Sequence, residues 1–383
     1  MWLFRSGLVL LVYVLINIYT GVRFFGLLKY LLPSTRALIF WPLYLLFCFS
    51  YILTFLLRFD RIRPLRQAAM YTLPAIVYFF IALLFMDALH LILLLSKVIP
   101  ASRGFSAAVT GIALAFAVLL LFYGIFHARD IRTVHYNVTV NKEMAGIRVA
   151  LVSDLHIGKT VGHEWTRNIV NAVNETKPDI IFLAGDIFDN DINSIADPEA
   201  VAEELRRLKA PLGIYACQGN HDVDRFSLRE NAATLRIQDF LKNSNILLLL
   251  DEVELVPDRF YLAGRRDARP IGSREARMSA AELADGLDKS KPLFFLDHQP
   301  VDFPAEEEAG ADLIFSGHTH KGQFFPGNLA TARIFKKAGA VHYGYWQGRT
   351  AKGIVSSGAG VWGPAIRVAT DSEVAVIDIK SGN

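Results

Sequence analysis

Cysteine is scarce in this chain. Cys48 and Cys217 are the only two in 383 residues, they lie far apart, and one sits inside an apolar run. No disulfide framework can be built from them, which is compatible with a reducing compartment. An excess of charge of one sign is also lacking. Forty Lys and Arg against 37 Asp and Glu leave a formal +3, too little to imply nucleic-acid binding. Uniformity is the third absence. A hydrophobic content of 52% and a mean hydropathy of +0.31 are high for a soluble enzyme, and the excess lies almost wholly before residue 128. A chain of this length also exceeds one average domain.

Four segments are long enough to cross a bilayer, which takes about 20 mostly apolar residues. They run from Leu8 to Leu28, interrupted by Arg23; from Ala37 to Leu57, uncharged; from Met70 to Leu95, with Asp87 and His90; and from Gly104 to Phe126, again uncharged. A cleaved signal peptide would account only for the first. Residues 1–130 therefore read as an all-α, four-span membrane region, and residues 131–383 as a separate domain. Arg58, Arg61, Arg63 and Arg66 fall between spans two and three, and Arg129 and Arg132 follow span four. The opposite loops hold Arg23, Lys29 and Arg36, and Lys97 and Arg103. The positive-inside rule then predicts cytoplasmic termini and a cytoplasmic C-terminal domain at the cell membrane. Asp87 and His90, three apart, share a helix face. A hydrogen-bonded pair buried between helices is favoured over a pathway role, because the other spans show no further polar pattern. Pro42 and Pro74 can bend or begin their helices.

From about Thr133 the pattern changes to short alternating runs. An edge strand is expected at His135–Val140 and a doubly buried strand at Ile147–Val152. A helix from about Glu164 buries Trp165, Ile169 and Val173, and Pro178 follows it. After a strand at 180–184, a second helix begins at Asp197-Pro198-Glu199, an N-cap, a first-position proline and an early acid. A strand at 213–217 and a helix at Ser227–Lys242 follow. Further strands are expected at Ile246–Leu250, Phe260–Ala263, 293–296, 312–316, Gly353–Ser357, Ala365–Ala369 and Val374–Ile379, with a polar loop from Arg265 to Glu275. The opening βαβαβ alternation with many later strands implies an α/β domain of two packed sheets with helices outside.

One arrangement recurs along this half: an apolar strand, then a metal-type residue at its end. Asp154-Leu-His156, Gly185-Asp186, Gly219-Asn220-His221, Asp297-His298 and Gly317-His318-Thr-His320 each follow such a strand. Neutral imidazole is the commonest protein metal ligand. Any one of these residues alone would be a turn former or a core histidine, but their recurrence describes a metal site assembled from several strand ends. Asp297 faces away from His298, since neighbours on a strand point to opposite sides.

In this order and at strand ends, the five blocks resemble the calcineurin-like metallophosphoesterases. The resemblance covers residues 154–320 and not the spans. The tail Ser356-Ser-Gly-Ala-Gly-Val-Trp-Gly-Pro364, with Arg367 after it, is similar to that of a bacterial membrane-associated branch acting on small or lipid-linked phosphoesters. The resemblance implies a four-layer fold, two packed β-sheets flanked by helices. It also implies a first metal held by Asp154, His156 and His320, a second by Asn220, His298 and His318, and Asp186 bridging both. His221 is implied to bind no metal and to act near the leaving group.

The chemistry of the residues agrees. A carboxylate has two oxygens and can hold two cations about 3.5–4 Å apart. Mixed nitrogen and oxygen ligation suits Mn²⁺ first, and Fe or Zn²⁺, better than Mg²⁺ or Ca²⁺. A water between the metals would be a hydroxide near neutral pH, able to attack phosphorus in line, with His221 as proton donor. No Ser or Cys nucleophile is needed, so Ser153 and Cys217 are assigned to packing. The expected activity is hydrolysis of a phosphomonoester, phosphodiester or pyrophosphate bond. Confinement to a membrane makes a lipid-linked substrate attractive, for example a sugar-nucleotide lipid of the kind cleaved by UDP-2,3-diacylglucosamine hydrolase relatives. The alternative is a non-catalytic membrane receptor or scaffold, disfavoured because all seven ligands and His221 are present. His163, Asp189, Asp191, Asp222, Lys159 and Lys321 could touch substrate, although solvated loop positions are favoured. Lys321 departs from the glycine usual in that branch. Arg265, Arg266, Arg269 and Arg274 form a basic cluster that could meet acidic headgroups, a nucleotide diphosphate or only water.

Overall fold

The structure is a computed structural model that describes residues 2–56, 63–98, 102–190, 192–222, 230–257, 259–268, 276–337 and 339–382. The chain divides into two compact units, Met1–Gly124 and Ile125–Asn383.

The first unit is helical: α1 (Trp2–Leu31), α2 (Ala37–Leu56), α3 (Arg63–Met70), α4 (Thr72–Leu95) and α5 (Arg103–His127). Four stretches are long and apolar enough to cross a membrane: Gly7–Leu31, Ala37–Thr54, Leu65–Leu95 and Arg103–His127. Pro42 lies inside α2 and Pro74 in the first turn of α4. Arg23 does not belong to a loop, as its charge suggested. It lies within α1, where its Nη2 meets Asp87 Oδ1 of α4 at 2.6 Å and its Nη1 donates to Ser106 Oγ of α5 at 2.8 Å. Tyr19 donates its hydroxyl to Asp87 Oδ2 at 2.5 Å. A partly buried ion pair joins three helices, and this supplies a structural role for Asp87, whose oxygens meet Arg23 and Tyr19 rather than His90. Arg58 and Arg61 lie outside the described residues.

The second unit is built on two six-stranded sheets. Across the first run β1 (Ile131–Val140), β12 (Ser372–Ser381), β2 (Ile147–Val152), β3 (Ile180–Ala184), β4 (Ile214–Cys217) and β5 (Leu247–Leu249). Across the second run β10 (Gly344–Gln347), β11 (Lys352–Val355), β9 (Leu313–Ser316), β8 (Leu293–Leu296), β7 (Phe260–Gly264) and β6 (Glu252–Val256). Alternate residues of the two sheets form one core: Val149 and Leu151, Ile180 and Phe182 from one side, Phe260, Phe294 and Phe315 from the other. Phe182 reaches across to Phe315 with ring centroids 5.0 Å apart. The outer faces are equally apolar, which is why β2 and β3 read as continuous hydrophobic runs. Outside the sheets lie α6 (His163–Glu175), α7 (Pro198–Arg206), α8 (Glu230–Asn243), α9 (Ala280–Ala284), α10 (Phe303–Glu308) and α11 (Gly327–Lys337). This is the four-layer arrangement.

The Asp197 side chain caps α7 by accepting from Ala200 N, with Pro198 at the first turn, as its sequence signals. The helix expected from Ser227 is α8; residues 227–229 lie outside the described residues. Ala365–Ala369 is not a strand. Pro364 precedes it, Ala369 has φ +60°, and only Val368 makes an isolated bridge, to Phe324. The segment is drawn inward instead by the buried Arg367.

The strands β2, β3 and β4 are mutually parallel, and so are β7, β8 and β9. Each triplet therefore ends on one side, and loops leaving the carboxyl ends of parallel strands are where such folds gather their ligands.

Candidate metal centre

Asp154 and His156 follow β2, Asp186 follows β3, and Asn220 and His221 follow β4; His298 follows β8, and His318 and His320 follow β9. Backbone bonds lock the loops together. Asp154 N donates to Gly185 O and His156 N to Asp186 O, both at 3.0 Å, and Gly317 N donates to His298 O at 3.0 Å. His318 N crosses between the sheets to the Asp154 carboxylate, 3.0 Å from Oδ2. Such close approach needs glycine. A Cβ on Gly317 would lie 2.4 Å from Ser153 Oγ, and one on Gly219 would lie 2.0 Å from Asp186 N.

The functional atoms converge on two neighbouring points. Around the first, His156 Nε2 and His320 Nε2 are 3.0 Å apart, and Asp154 Oδ1 is 3.3 Å from His320 Nε2. Around the second, His298 Nε2 is 3.1 Å from Asp186 Oδ2, 3.2 Å from Asn220 Oδ1 and 3.2 Å from His318 Nδ1. Asp186 Oδ2 also lies 3.6 Å from His156 Nε2, so one oxygen faces both groups. Its Oδ1 accepts the His221 amide at 2.8 Å. Oδ2 is thus the oxygen that stands between the two groups, while Oδ1 is held by a backbone donor.

These contacts fit bound cations. His298 Nδ1 can only donate to the Ala184 carbonyl, 2.8 Å away, which leaves the neutral ring with a lone pair on Nε2. That lone pair points at two oxygens and another imidazole nitrogen. Donor atoms about 3.0–3.4 Å apart are what a cation with ligands near 2.1 Å would impose. Asp154, His156 and His320 form one potential metal-holding group, and Asp186, His298 and His318 another. The electrostatics state the same need. Burial alone would lower the His298 pKa, but the charges of Asp186, Asp154 and Asp267 outweigh it and hold the ring well above its usual value. At the other point burial dominates: the His156 pKa falls to about 3, so that ring stays neutral, the form in which an imidazole can bind a cation, while burial pushes the Asp154 pKa up to about 6.

Five of the seven residues, Asp154, His156, Asp186, His318 and His320, have φ between +48° and +71°. L-residues there cost about 1–3 kcal/mol each and cluster at functional sites.

His221 stands beside this cluster, its ring centroid 4.9 Å from that of His156 and 6.2 Å from Trp362. Its buried Nδ1 has Asp189 Oδ1 3.8 Å away. Asp297 points away from the site, into a buried network with Arg265 Nη1 at 3.1 Å and Arg277 Nη1 at 2.9 Å. Arg265 is therefore not part of a surface basic cluster. It also reaches Glu306 at 3.0 Å and is buried; Arg269, Arg274 and Asp191 lie outside the described residues. His163 hydrogen-bonds Glu204 at 3.0 Å instead of facing the metal points. The Lys321 ammonium sits over the Tyr343 ring, 4.0 Å from its centroid.

Two residues that the sequence suggested for other reasons are buried and hold loops in place, so Asp222 is not the solvated loop residue it was expected to be. Asp222 accepts Phe188 N and Gly219 N, each at 2.8 Å, and so clasps the loops after β3 and β4. Arg367 is fully buried, and its guanidinium donates to the carbonyls of His320, Ser357, Gly358 and Gly360.

Parallel strand ends that bring seven nitrogen- and oxygen-bearing side chains to two points make a candidate dinuclear divalent-metal site. Residues 147–322, a little under half of the chain, match the family described as Calcineurin-like phosphoesterase, and that stretch is a metallophosphoesterase domain, of the class of metal-dependent phosphoric ester hydrolases. A "Transmembrane protein with metallophosphoesterase domain" of Danio rerio is 29% identical over 301 residues, 75% of this chain and 68% of that one. An uncharacterized metallophosphoesterase of Campylobacter jejuni is 28% identical over 234 residues, 61% of this chain and 59% of its own length. The matches thus span about six- to seven-tenths of these relatives. The solved structure of a dimetal phosphatase from Danio rerio aligns with TM-score 0.33 and 13% identity, over 55% of this chain and 86% of that one.

Proposed function

We propose that the chain is a membrane-anchored phosphoesterase, with residues 1–130 as its anchor and 131–383 as its catalytic domain. It hydrolyses a phosphomonoester, phosphodiester or pyrophosphate bond, and its substrate is lipid-linked or membrane-proximal. The observation that supports this most is the position of Asp186 Oδ2, 3.1 Å from His298 Nε2 on one side and 3.6 Å from His156 Nε2 on the other. In this reading Asp154, His156 and His320 hold one cation, Asn220, His298 and His318 the other, and Asp186 both. The mixed donor set favours Mn²⁺, with Fe or Zn²⁺ next.

When bound, the cations supply Lewis acidity toward the phosphoryl oxygens and an activated water at neutral pH. The chain's own residues set the geometry. The His221 amide stops the Asp186 carboxylate from rotating, and the Ala184 carbonyl selects the His298 tautomer. Asn220 is neutral, so two carboxylates rather than three surround the phosphate. The His221 imidazole stands ready to give a proton to the departing oxygen, and the half-exposed Trp362 beside it offers an apolar rim.

With Arg23 well inside its span, the helix ends and loops on one side retain Lys29, Arg36, Lys97 and Arg103. Arg58, Arg61, Arg63, Arg66, Arg129 and Arg132 stand on the other. This balance supports a catalytic domain on the cytoplasmic side of the cell membrane.

The test is manganese-dependent hydrolysis of bis(p-nitrophenyl) phosphate and p-nitrophenyl phosphate by the full-length protein in detergent, beside Asp186→Ala and His318→Ala. Activity that vanishes in both variants is expected, and the ratio of the two substrates sorts diester from monoester. A folded wild-type protein that binds no divalent metal would sink the proposal.

A further inference from the structure

The proposed chemistry leaves unexplained the segment that follows the His-x-His pair. Between Asp312 and Asp371 the chain has no Asp or Glu, whereas seven Lys and Arg fall in that interval. Within it lies α11, whose Leu329 and Ile334 are 60% and 61% exposed. At 100° per residue, Leu329, Ala330, Arg333, Ile334, Lys336 and Lys337 fall in one continuous arc of the helix, and all six are exposed. No carboxylate pairs with the three cations among the described residues. The opposite side of the helix is seated: Phe335 is buried, its ring centroid 6.3 Å from that of His318. Phe325 N holds the helix entrance to Val368 O at 3.0 Å, and Thr319 Oγ1 donates to His342 O beyond its exit.

We propose that this face of α11 docks on an anionic lipid surface. Leu329 and Ile334 enter the boundary between headgroups and acyl chains, while Arg333, Lys336 and Lys337 lie at the lipid phosphates. Two observations select a lipid over a protein. The face joins exposed aliphatic side chains to charge of a single sign, and its surroundings in sequence contain no acid that a mixed protein interface would use. A bilayer is also always within reach, because only three residues separate the end of α5 at His127 from the start of β1 at Ile131. Docking would bring the loop that carries His318 and His320 to the lipid surface. It does not depend on catalysis, so an inactive chain docks equally well.

The experiment uses the full chain reconstituted in vesicles of phosphatidylcholine alone or with added phosphatidylglycerol. An environment-sensitive fluorophore is placed at Leu329→Cys, and its quenching by nitroxide-labelled lipid is measured; Cys48 and Cys217 are both buried. Leu255→Cys on β6, 42% exposed, is the control. Quenching at position 329 should be strong with phosphatidylglycerol and weaker without it, and position 255 should stay unquenched. Each cation near an anionic surface strengthens partition about fivefold, so reversing all three should weaken it by about a hundredfold or more. In Arg333→Glu/Lys336→Glu/Lys337→Glu the quenching should therefore disappear, while hydrolysis of p-nitrophenyl phosphate is retained as a check on folding. Equal quenching at both positions, or none at 329, would overturn the proposal. Fluorophore self-quenching that grows with protein density, without lipid quenching, would assign the face to a second copy of the chain and overturn it equally.

Discussion

Arg367 offers the most direct test of how the tail supports the metal centre. Its guanidinium is wholly buried and, among the described residues, meets no carboxylate at ion-pair distance. Nη1 donates to His320 O at 2.9 Å, and Nη2 to Ser357 O at 2.7 Å, Gly360 O at 2.8 Å and Gly358 O at 3.1 Å. Burial lowers its pKa to about 10, so the group is still charged at neutral pH. Arg367→Met keeps much of the volume and strands the carbonyls of Ser357 and Gly360, while those of His320 and Gly358 keep the backbone donors Gln323 N and Glu373 N. Each buried acceptor left without a donor costs about 1–3 kcal/mol. At about 2–4 °C per kcal/mol for a domain of this size, Tm should fall by roughly 4–20 °C. Arg367→Lys keeps the charge but cannot reach four carbonyls in one plane, and it should recover only part of the loss. Since Arg367 holds the backbone of His320, the cation at the Asp154–His156–His320 point should be lost first. Thermal unfolding in detergent and metal content by mass spectrometry read both effects. An Arg367→Met protein within about 2 °C of wild type, with two metals still bound, would refute the reasoning, since that is close to the roughly 0.5 kcal/mol within which ordinary surface changes fall.

Asp222→Ala leaves the amides of Phe188 and Gly219 buried without acceptors, at about 1–3 kcal/mol each; a Tm lowered by roughly 4–20 °C is expected, and Asp222→Asn should fall between. His221→Gln should lower kcat by about 10²–10⁴-fold while both metals stay bound, and loss of a metal would show that His221 is a ligand instead. Chelation should lower Tm of the wild type, because the sites bind metal in the folded state only, and re-addition of Mn²⁺ should restore it. Glu307 supplies a pH test away from the metals. Burial pushes its carboxyl up, but the backbone N–H groups of Thr350, Ala351 and Arg349 outweigh that and hold it below its usual value. Its stabilising contribution is therefore present above the unfolded carboxyl pKa of about 4.3 and is lost as pH falls through the lower folded value. Glu307→Gln should accordingly flatten part of the acid limb of Tm against pH below about 4.3, measured beside wild type.

The two units differ in how much of them local sequence could specify. Membrane spans depend on summed hydrophobicity over about 20 residues, so they were legible as runs, and the metal residues were legible because each ends an apolar strand. What a single segment cannot encode is which distant charge answers its own. Arg23 reads as a loop residue until Asp87, 64 positions away, is seen beside it. Arg265 reads as surface charge until Asp297 and Glu306 enclose it. The Ala365–Ala369 stretch has a strand's composition, but Arg367 is worth more to the fold as a donor to four carbonyls than as a member of a ladder.

Local patterning alone is enough to specify the four apolar spans, the α/β domain after them, and the seven ligand-type residues and His221 at strand ends in one order. These follow from hydrophobic period and strand termination, which are properties of neighbouring residues. Three-dimensional packing brings those candidate ligands to two points that face one oxygen of Asp186, sets five of them at positive φ, and lets Asp222 and Arg367 hold the loops in place. Those facts depend on the register between parallel strands and on two sheets packed face to face, and no stretch of chain carries that information alone.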